Sequence, residues 1–131
     1  MPATGIVGYQ NATDIVLDMA STVAAGATET FSIVVTRAFR VVGVTCIAET
    51  TAAGSTVEVR KGASVISTGI ALAAQNTVAN ASSVVSAVAA FAVGDTLNIA
   101  VTSGAGVNAQ GIIIVRTEPL ALGDATAVTA V

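Results

Sequence analysis

Residues 39–49 read FRVVGVTCIAE. Neighbouring side chains of a β-strand point to opposite faces, so this segment divides into two alternating sets. The sets are Arg40, Val42, Val44, Cys46 and Ala48 on one face, and Phe39, Val41, Gly43, Thr45 and Ile47 on the other. Because both sets are largely apolar, the pattern predicts a long strand that is covered on both sides. We expect this strand to lie in the middle of a sheet or beneath a neighbouring subunit.

Other segments alternate with the same period of two, which is typical of strands with one buried face. In TVEVR, residues 56–60, Val57 and Val59 are predicted to point inward, and Glu58 and Arg60 are predicted to face solvent. The inward sets predicted for two further segments are Phe31, Ile33 and Val35, and Leu97, Ile99 and Val101.

The last periodic segment, residues 110–118, is apolar on both of its faces, so both faces are predicted to be covered. Its two faces hold Ile112 and Ile114, and Ile113 and Val115. Three weaker strand signals lie in residues 14–18, in residues 65–70 and within residues 77–86. Together the segments amount to about eight strands, at the spacing expected of an antiparallel sandwich or barrel.

Clusters of glycine and small polar residues separate the predicted strands. They occupy residues 50–55, 61–64, 94–95 and 103–106, where glycine supplies the positive φ angles that tight turns need. Residues 71–92 are rich in alanine, which favours helix, but also contain valines, which favour strand. We predict strand and loop there, with a single helical turn.

The two ends of the chain lack a strong period. We interpret residues 1–13 as an N-terminal arm, residues 14–118 as the β-domain and residues 119–131 as a C-terminal arm. Pro119 is expected to end the last strand, because proline cannot donate to a strand ladder. Two interpretations of the arms stay open: segments that order against a partner, or frayed termini.

The composition indicates that a partner covers part of the surface. The chain has 131 residues, of which 53% are hydrophobic and only 10% are charged, against roughly 25% charged in typical soluble domains. A membrane is disfavoured because the uncharged stretch 62–94 is interrupted throughout by serine, threonine and asparagine. No basic residue precedes the first apolar residues, so we predict no secretory signal and synthesis in a cytoplasm.

The amino-acid composition excludes most kinds of catalytic and metal-binding site. The chain has no histidine and a single cysteine, which removes the commonest general base and metal ligand and any intrachain disulfide. Cys46 is predicted to be a small buried apolar residue, and Lys61 to be solvated in a turn. The five basic residues form no patch for nucleic acid. We therefore predict no enzyme activity, no catalytic, cofactor or metal-binding residue, and no small-molecule substrate.

Three segments carry a resemblance to a known class of protein: TRAFRVVGV at residues 36–44, TVEVRKG at residues 56–62 and FAVGDTL at residues 91–97. This combination resembles the small β-domains of tailed bacteriophages, and among them the capsid decoration, or cement, proteins. The resemblance spans roughly residues 28–118. It implies a jelly-roll-like sandwich that assembles as a trimer and clamps neighbouring major capsid protein subunits on the outside of the virion.

We accordingly expect a virion structural protein that is made in the host cytoplasm and stabilises the phage head. Its predicted partners are the major capsid protein and further copies of itself, without nucleic acid or membrane. The candidate contact residues are Arg37, Arg40, Tyr9, Pro119, Leu120 and Leu122. Two alternatives stay open: a tail-fibre or baseplate binding domain, and a shell or scaffold component unrelated to viruses.

Overall fold

The computed structural model describes residues 14–120 as two antiparallel β-sheets packed face to face. The strands are β1 (Ile15–Asp18), β2 (Thr28–Val34), β3 (Phe39–Ala48), β4 (Thr56–Lys61), β5 (Ser64–Ala71), β6 (Val78–Asn80), β7 (Ala90–Phe91), β8 (Thr96–Thr102) and β9 (Gly111–Pro119). A single 3-10 turn, Ser86–Val88, interrupts them. Across residues 14–120 no helix has the length and apolar character that crossing a membrane would require. The prediction of an all-β sandwich is confirmed.

The strand order is that of a jelly roll. One sheet has the order β1-β9-β3-β6, with β7 also paired to β3, and the other has the order β2-β8-β4-β5. The first and last strands pair with each other, and the two sheets take their strands from alternating parts of the chain, as in a double Greek key. The short β7 is an addition to the eight main strands. Long connections therefore cross between the sheets at both ends of the sandwich.

A β-bulge in β3 changes the alternation predicted for that strand. The pairing of β3 with β9 shifts between Val41, which lies opposite Thr117, and Gly43, which lies opposite Arg116. Val42 is the extra residue, and it is exposed. The predicted grouping of Val42 with Val44 and Cys46 is therefore wrong. A bulge places two consecutive residues on one side of a strand, so the inward set is Phe39, Val41, Val44, Cys46 and Ala48.

The core consists of the inward residues of both sheets, as the alternation predicted. Val57 and Val59 in β4, and Leu97, Ile99 and Val101 in β8, are completely buried. The other large side chains with no exposed surface include Phe91, Ile66, Leu72 and Ile113. Each such Val, Leu, Ile or Phe contributes roughly 1.5–3 kcal/mol by leaving water. The core is built from many aliphatic contacts and one fully buried aromatic ring.

The alanine-rich segment 71–92 folds as strand and loop with one helical turn, as predicted. Strands β6 and β7 both pair with the same edge of β3, β6 opposite Thr45–Ile47 and β7 opposite Phe39 and Arg40. Between them the chain crosses to the other sheet, where the Val85 amide donates to the Ile66 carbonyl at 2.9 Å. This segment therefore closes one side of the sandwich.

Gly111 in β9 packs directly against the backbone of β3 and the side chain of Leu72, which leaves no room for a larger residue. A Cβ atom there would lie 2.5 Å from the Ile47 carbonyl oxygen and 2.7 Å from Leu72 Cδ1. We expect Gly111→Ala to lower the free energy of unfolding by about 1–3 kcal/mol, because backbone must shift to admit the methyl group. Urea unfolding measures this loss.

The matched control is Gly43→Ala, since its methyl group would meet only the flexible guanidinium of Arg116. Its cost should be clearly smaller. Equal losses for the two substitutions would contradict the account of Gly111 as a close backbone contact.

Candidate interaction surface

The outward side of the sheet β1-β9-β3-β6 has a group of apolar side chains that we call the outer apolar face. It consists of Val16, Ile47, Val78, Ile112 and Ile114. Val16 and Val78 are 57% and 56% exposed, and the three isoleucines are partly exposed. Among residues 14–120 no further layer of chain packs over this face. An exposed cluster of this kind typically marks a protein contact.

Strand register brings these residues together. Ile114 lies opposite Val16 on one side, while Ile112 lies opposite Ile47 on the other, and Ile47 in turn lies opposite Val78. The run Ile112 to Val115 is apolar at every position, so Ile113 and Val115 enter the core while Ile112 and Ile114 face outward. The prediction that β9 is apolar on both faces is confirmed, but no second layer formed by residues 14–120 covers the outward side.

A polar ladder borders the outer apolar face. Arg116 extends from β9 across β3, where its guanidinium lies over Gly43 and donates to Thr45 Oγ1. The Thr45 hydroxyl then donates to Asn80 Oδ1 on β6 at 2.7 Å. The bulge makes this arrangement available, because it turns Gly43, which has no side chain, toward Arg116. The result is a fixed positive charge beside the apolar residues, with Asp18 at the opposite border.

The outward side of the second sheet has a different character. Two of its cross-strand pairs are hydrogen bonds between small polar side chains, Thr28 to Thr102 at 2.8 Å and Ser32 to Asn98 at 2.6 Å. Its exposed valines, Val34 and Val65, are separated on the two edge strands of the sheet and form no cluster. Here a charged residue of β4, Arg60, forms an ion pair with Glu58 of the same strand. One face of the sandwich is thus suited to water and the other to a protein surface.

The structure brings together the predicted contact residues that it describes. Arg40 in β3 lies opposite Glu118, and Pro119 lies opposite Phe39, so both flank the same end of the β3–β9 pair. Leu120 follows Pro119 directly. Tyr9 and Leu122 lie outside the described residues, as do residues 1–13 and 121–131 of the predicted arms. The sequence reasoning did not name the outer apolar face as a contact, although the two-sided pattern of β9 was its signal.

Arg37, the remaining predicted contact, lines a groove of about 350 Å³ at that end of the sandwich. The groove opens between β1 of one sheet and β2 of the other. Its other lining residues are Ile15, Ile33, Val34, Val35, Thr36, Phe39 and Thr117. It is largely apolar, with the Arg37 guanidinium as its charged group.

The motifs behind the phage resemblance meet in space and are structural. Lys61 Nζ donates to the Ala90 carbonyl at 2.8 Å, lies 3.4 Å from an Asp95 carboxylate oxygen and sits 5.7 Å from the centre of the Phe91 ring. The same Asp95 oxygen accepts from the Ala92 amide at 2.8 Å. These contacts join the β4–β5 hairpin to the turn before β8. Lys61 is therefore half-buried and paired, which corrects its prediction as a solvated turn residue.

Cys46 is completely buried in the core, as predicted. Burial raises the pKa of its thiol from 9.0 to about 12, because the ionised form would lose its hydration. The thiol thus stays protonated in the folded state at neutral pH. Within residues 14–120 no three histidine, cysteine, aspartate or glutamate side chains are grouped as a metal site would need.

The raised pKa of Cys46 predicts a pH dependence of stability. The unfolded chain ionises this thiol near pH 9, but the folded chain ionises it only near pH 12. The free energy of unfolding should therefore fall as the pH rises through this window, since only the unfolded state loses the proton. Urea unfolding at pH 8 and pH 11 measures the fall. Cys46→Ala should show a weaker fall; an unchanged slope would contradict the assignment.

Comparisons of the chain with protein-family models, with curated proteins and with solved structures gave no match.

Proposed function

We propose that this chain is a structural protein of a tailed-bacteriophage virion, a decoration subunit that binds the outside of the major capsid protein lattice. The observation that carries the proposal is the contrast between the two outward sheet faces. The outer apolar face would lie against the capsid lattice, and the polar threonine- and serine-rich face would remain in water. The motif resemblance supplies the identity of the partner.

A modest contact is sufficient for this role. A standard protein interface buries about 800 Å² per partner, and an assembly that makes several contacts at once gains affinity steeply over any single one. Valine and isoleucine side chains supply apolar area, while Arg116 and Asp18 at the borders supply orientation. Arg37 and Arg40 add positive charge at one end for an acidic patch of the lattice. No catalytic step is part of this function.

Co-sedimentation tests the proposal. Purified chain mixed with undecorated phage heads should pellet with the heads and saturate at a fixed number of copies per head. A known coat-binding protein serves as the positive control, and the chain alone as the negative control. If the chain stays in the supernatant while the positive control pellets, the proposed function is wrong.

A further inference from the structure

The edge strands of the two sheets differ in how well they resist pairing with another chain. β1 has only four residues and β6 only three, and β5 is shifted twice in its register with β4. Short strands and bulges are the means by which sheets avoid edge-to-edge pairing. In contrast, β2 pairs with β8 over seven residues in unbroken register. It is the long regular edge of the described part of the chain.

Within residues 14–120 no strand pairs with the outer edge of β2. The Ala27 carbonyl accepts from the Ser103 amide at 2.9 Å, and the Val35 amide donates to the Asp95 carbonyl at 2.8 Å, both on the β8 side. Alternate residues of an antiparallel strand turn their backbone groups to opposite sides. The amide and carbonyl groups of Thr30, Ser32 and Val34 therefore face the open edge.

The side chains along the groove side of this edge are ordered by charge. Glu29, Phe31 and Ile33 alternate along β2 on its inward side, and Val35 and Arg37 follow beyond the end of the strand at Val34, where both line the groove with Ile33. An acid thus stands at one end, a base at the other, and apolar residues between them. Glu29 and Arg37 are both exposed, and the ion pairs found in residues 14–120 involve neither of them. Phe31 and Ile33 are only partly buried, although they pack against the core.

We propose that two copies of this chain pair antiparallel along β2, with the two-fold axis at Ile33. This register places Ile33 opposite Ile33 of the second copy, Phe31 opposite Val35, and Glu29 opposite Arg37. Both ends then gain an ion pair, because the order of charges reverses in the second copy. Ser32 and Val34 exchange backbone hydrogen bonds across the axis. In the antiparallel pair the acidic residue of each copy meets the basic residue of the other, so the edge is complementary in charge to itself. This complementarity favours a second copy of the chain as the binding partner.

The symmetry of this pair has a consequence for the outer apolar face. The two-fold axis of an antiparallel ladder is perpendicular to the sheet, so the two sandwiches lie side by side without one being inverted. Both outer apolar faces then point in the same direction, and the pair can engage one surface at two points. The pairing itself does not depend on the proposed function, since its backbone contacts are made by β2 and not by the outer apolar face; Arg37 is the one residue that both would use.

The register is tested by cysteine cross-linking of the full chain. Ile33→Cys should form a disulfide-linked dimer on mild oxidation, because residues opposite each other at the axis have Cα atoms about 4.5–5.5 Å apart. Thr30→Cys is the control on the same strand, since its two copies would lie several residues apart and should not cross-link. Cys46 is buried and stays out of the reaction. Equal cross-linking of the two variants would overturn the proposal.

The charge pairing is tested by reversal. Sedimentation equilibrium should give a dimer for the wild-type chain, and Glu29→Arg or Arg37→Glu alone should weaken it about tenfold, because like charges then oppose each other at both ends. The double variant should restore the dimer to within about twofold of the wild type. Glu49→Arg controls for the change in net charge. A monomer, a trimer as the phage resemblance implies, or a double variant no better than the singles would overturn the proposal.

Discussion

Phe91→Ala is expected to lower the free energy of unfolding by about 3–5 kcal/mol. Phe91 has no exposed surface, its ring stacks on Phe39 with a centroid distance of 5.1 Å, and Lys61 lies over the ring. Truncation leaves a cavity in the core, because the surrounding structure relaxes only partly to fill the space. It also removes the surface on which the β4–β5 hairpin meets the turn before β8. Urea unfolding monitored by circular dichroism measures the loss.

The matched control is Val93→Ala, two residues along the chain, because Val93 is 67% exposed. Its effect should stay within about 0.5 kcal/mol. Phe91→Leu should fall between the two, since leucine fills part of the volume. A Phe91→Ala protein as stable as the wild type would contradict the description of Phe91 as a fully buried core side chain.

Ile112→Lys is expected to weaken binding to undecorated heads at least about a hundredfold, because docking would strip the water from a charged ammonium group on the outer apolar face, a cost that an ion pair does not fully offset. The fold should survive the substitution. Ile112 faces outward, it is only partly buried, and it lies opposite Asp18, which offers the new ammonium group an ion pair. Co-sedimentation over a range of chain concentrations measures the affinity, and circular dichroism checks the fold.

Thr56→Lys provides the control for Ile112→Lys. It adds the same charge on the outward side of the other sheet, where Thr56 is exposed and lies opposite Thr102. Its binding should equal that of the wild type. If both variants bind alike, the outer apolar face is not the docking surface, and the proposed orientation on the lattice is wrong.

Much of the fold could be predicted from the sequence, because period-two alternation reports directly on burial. Val57 and Val59, for example, alternate with polar or charged residues, and both are fully buried. Val42 could not be assigned to its correct face. A bulge adds one residue without any change in local hydrophobicity, so the alternation before and after it gives no sign of the shift.

The surfaces were harder to predict than the core, because they depend on strand order. Ile112 and Ile114 were expected to need cover, but only the sheet topology shows that no layer of the described chain lies over them. Glu29 gave no signal in the sequence, since its importance depends on β2 being an edge strand. The contacts of Lys61 could not be predicted from the sequence either, because Ala90, Phe91 and Asp95 are far from it along the chain.

Because of its bulge, β3 could lose one residue and still form the same strand. Val42 has no partner of its own on β9, so a chain without it would still place Val41 and Val44 in the core and Gly43 beneath Arg116. The strand would lose local twist but would keep its two faces. Val42 is therefore equivalent to a one-residue insertion in an otherwise regular strand. Deleting it would shorten β3 by one residue, and the residues before and after it would keep their inward or outward orientation.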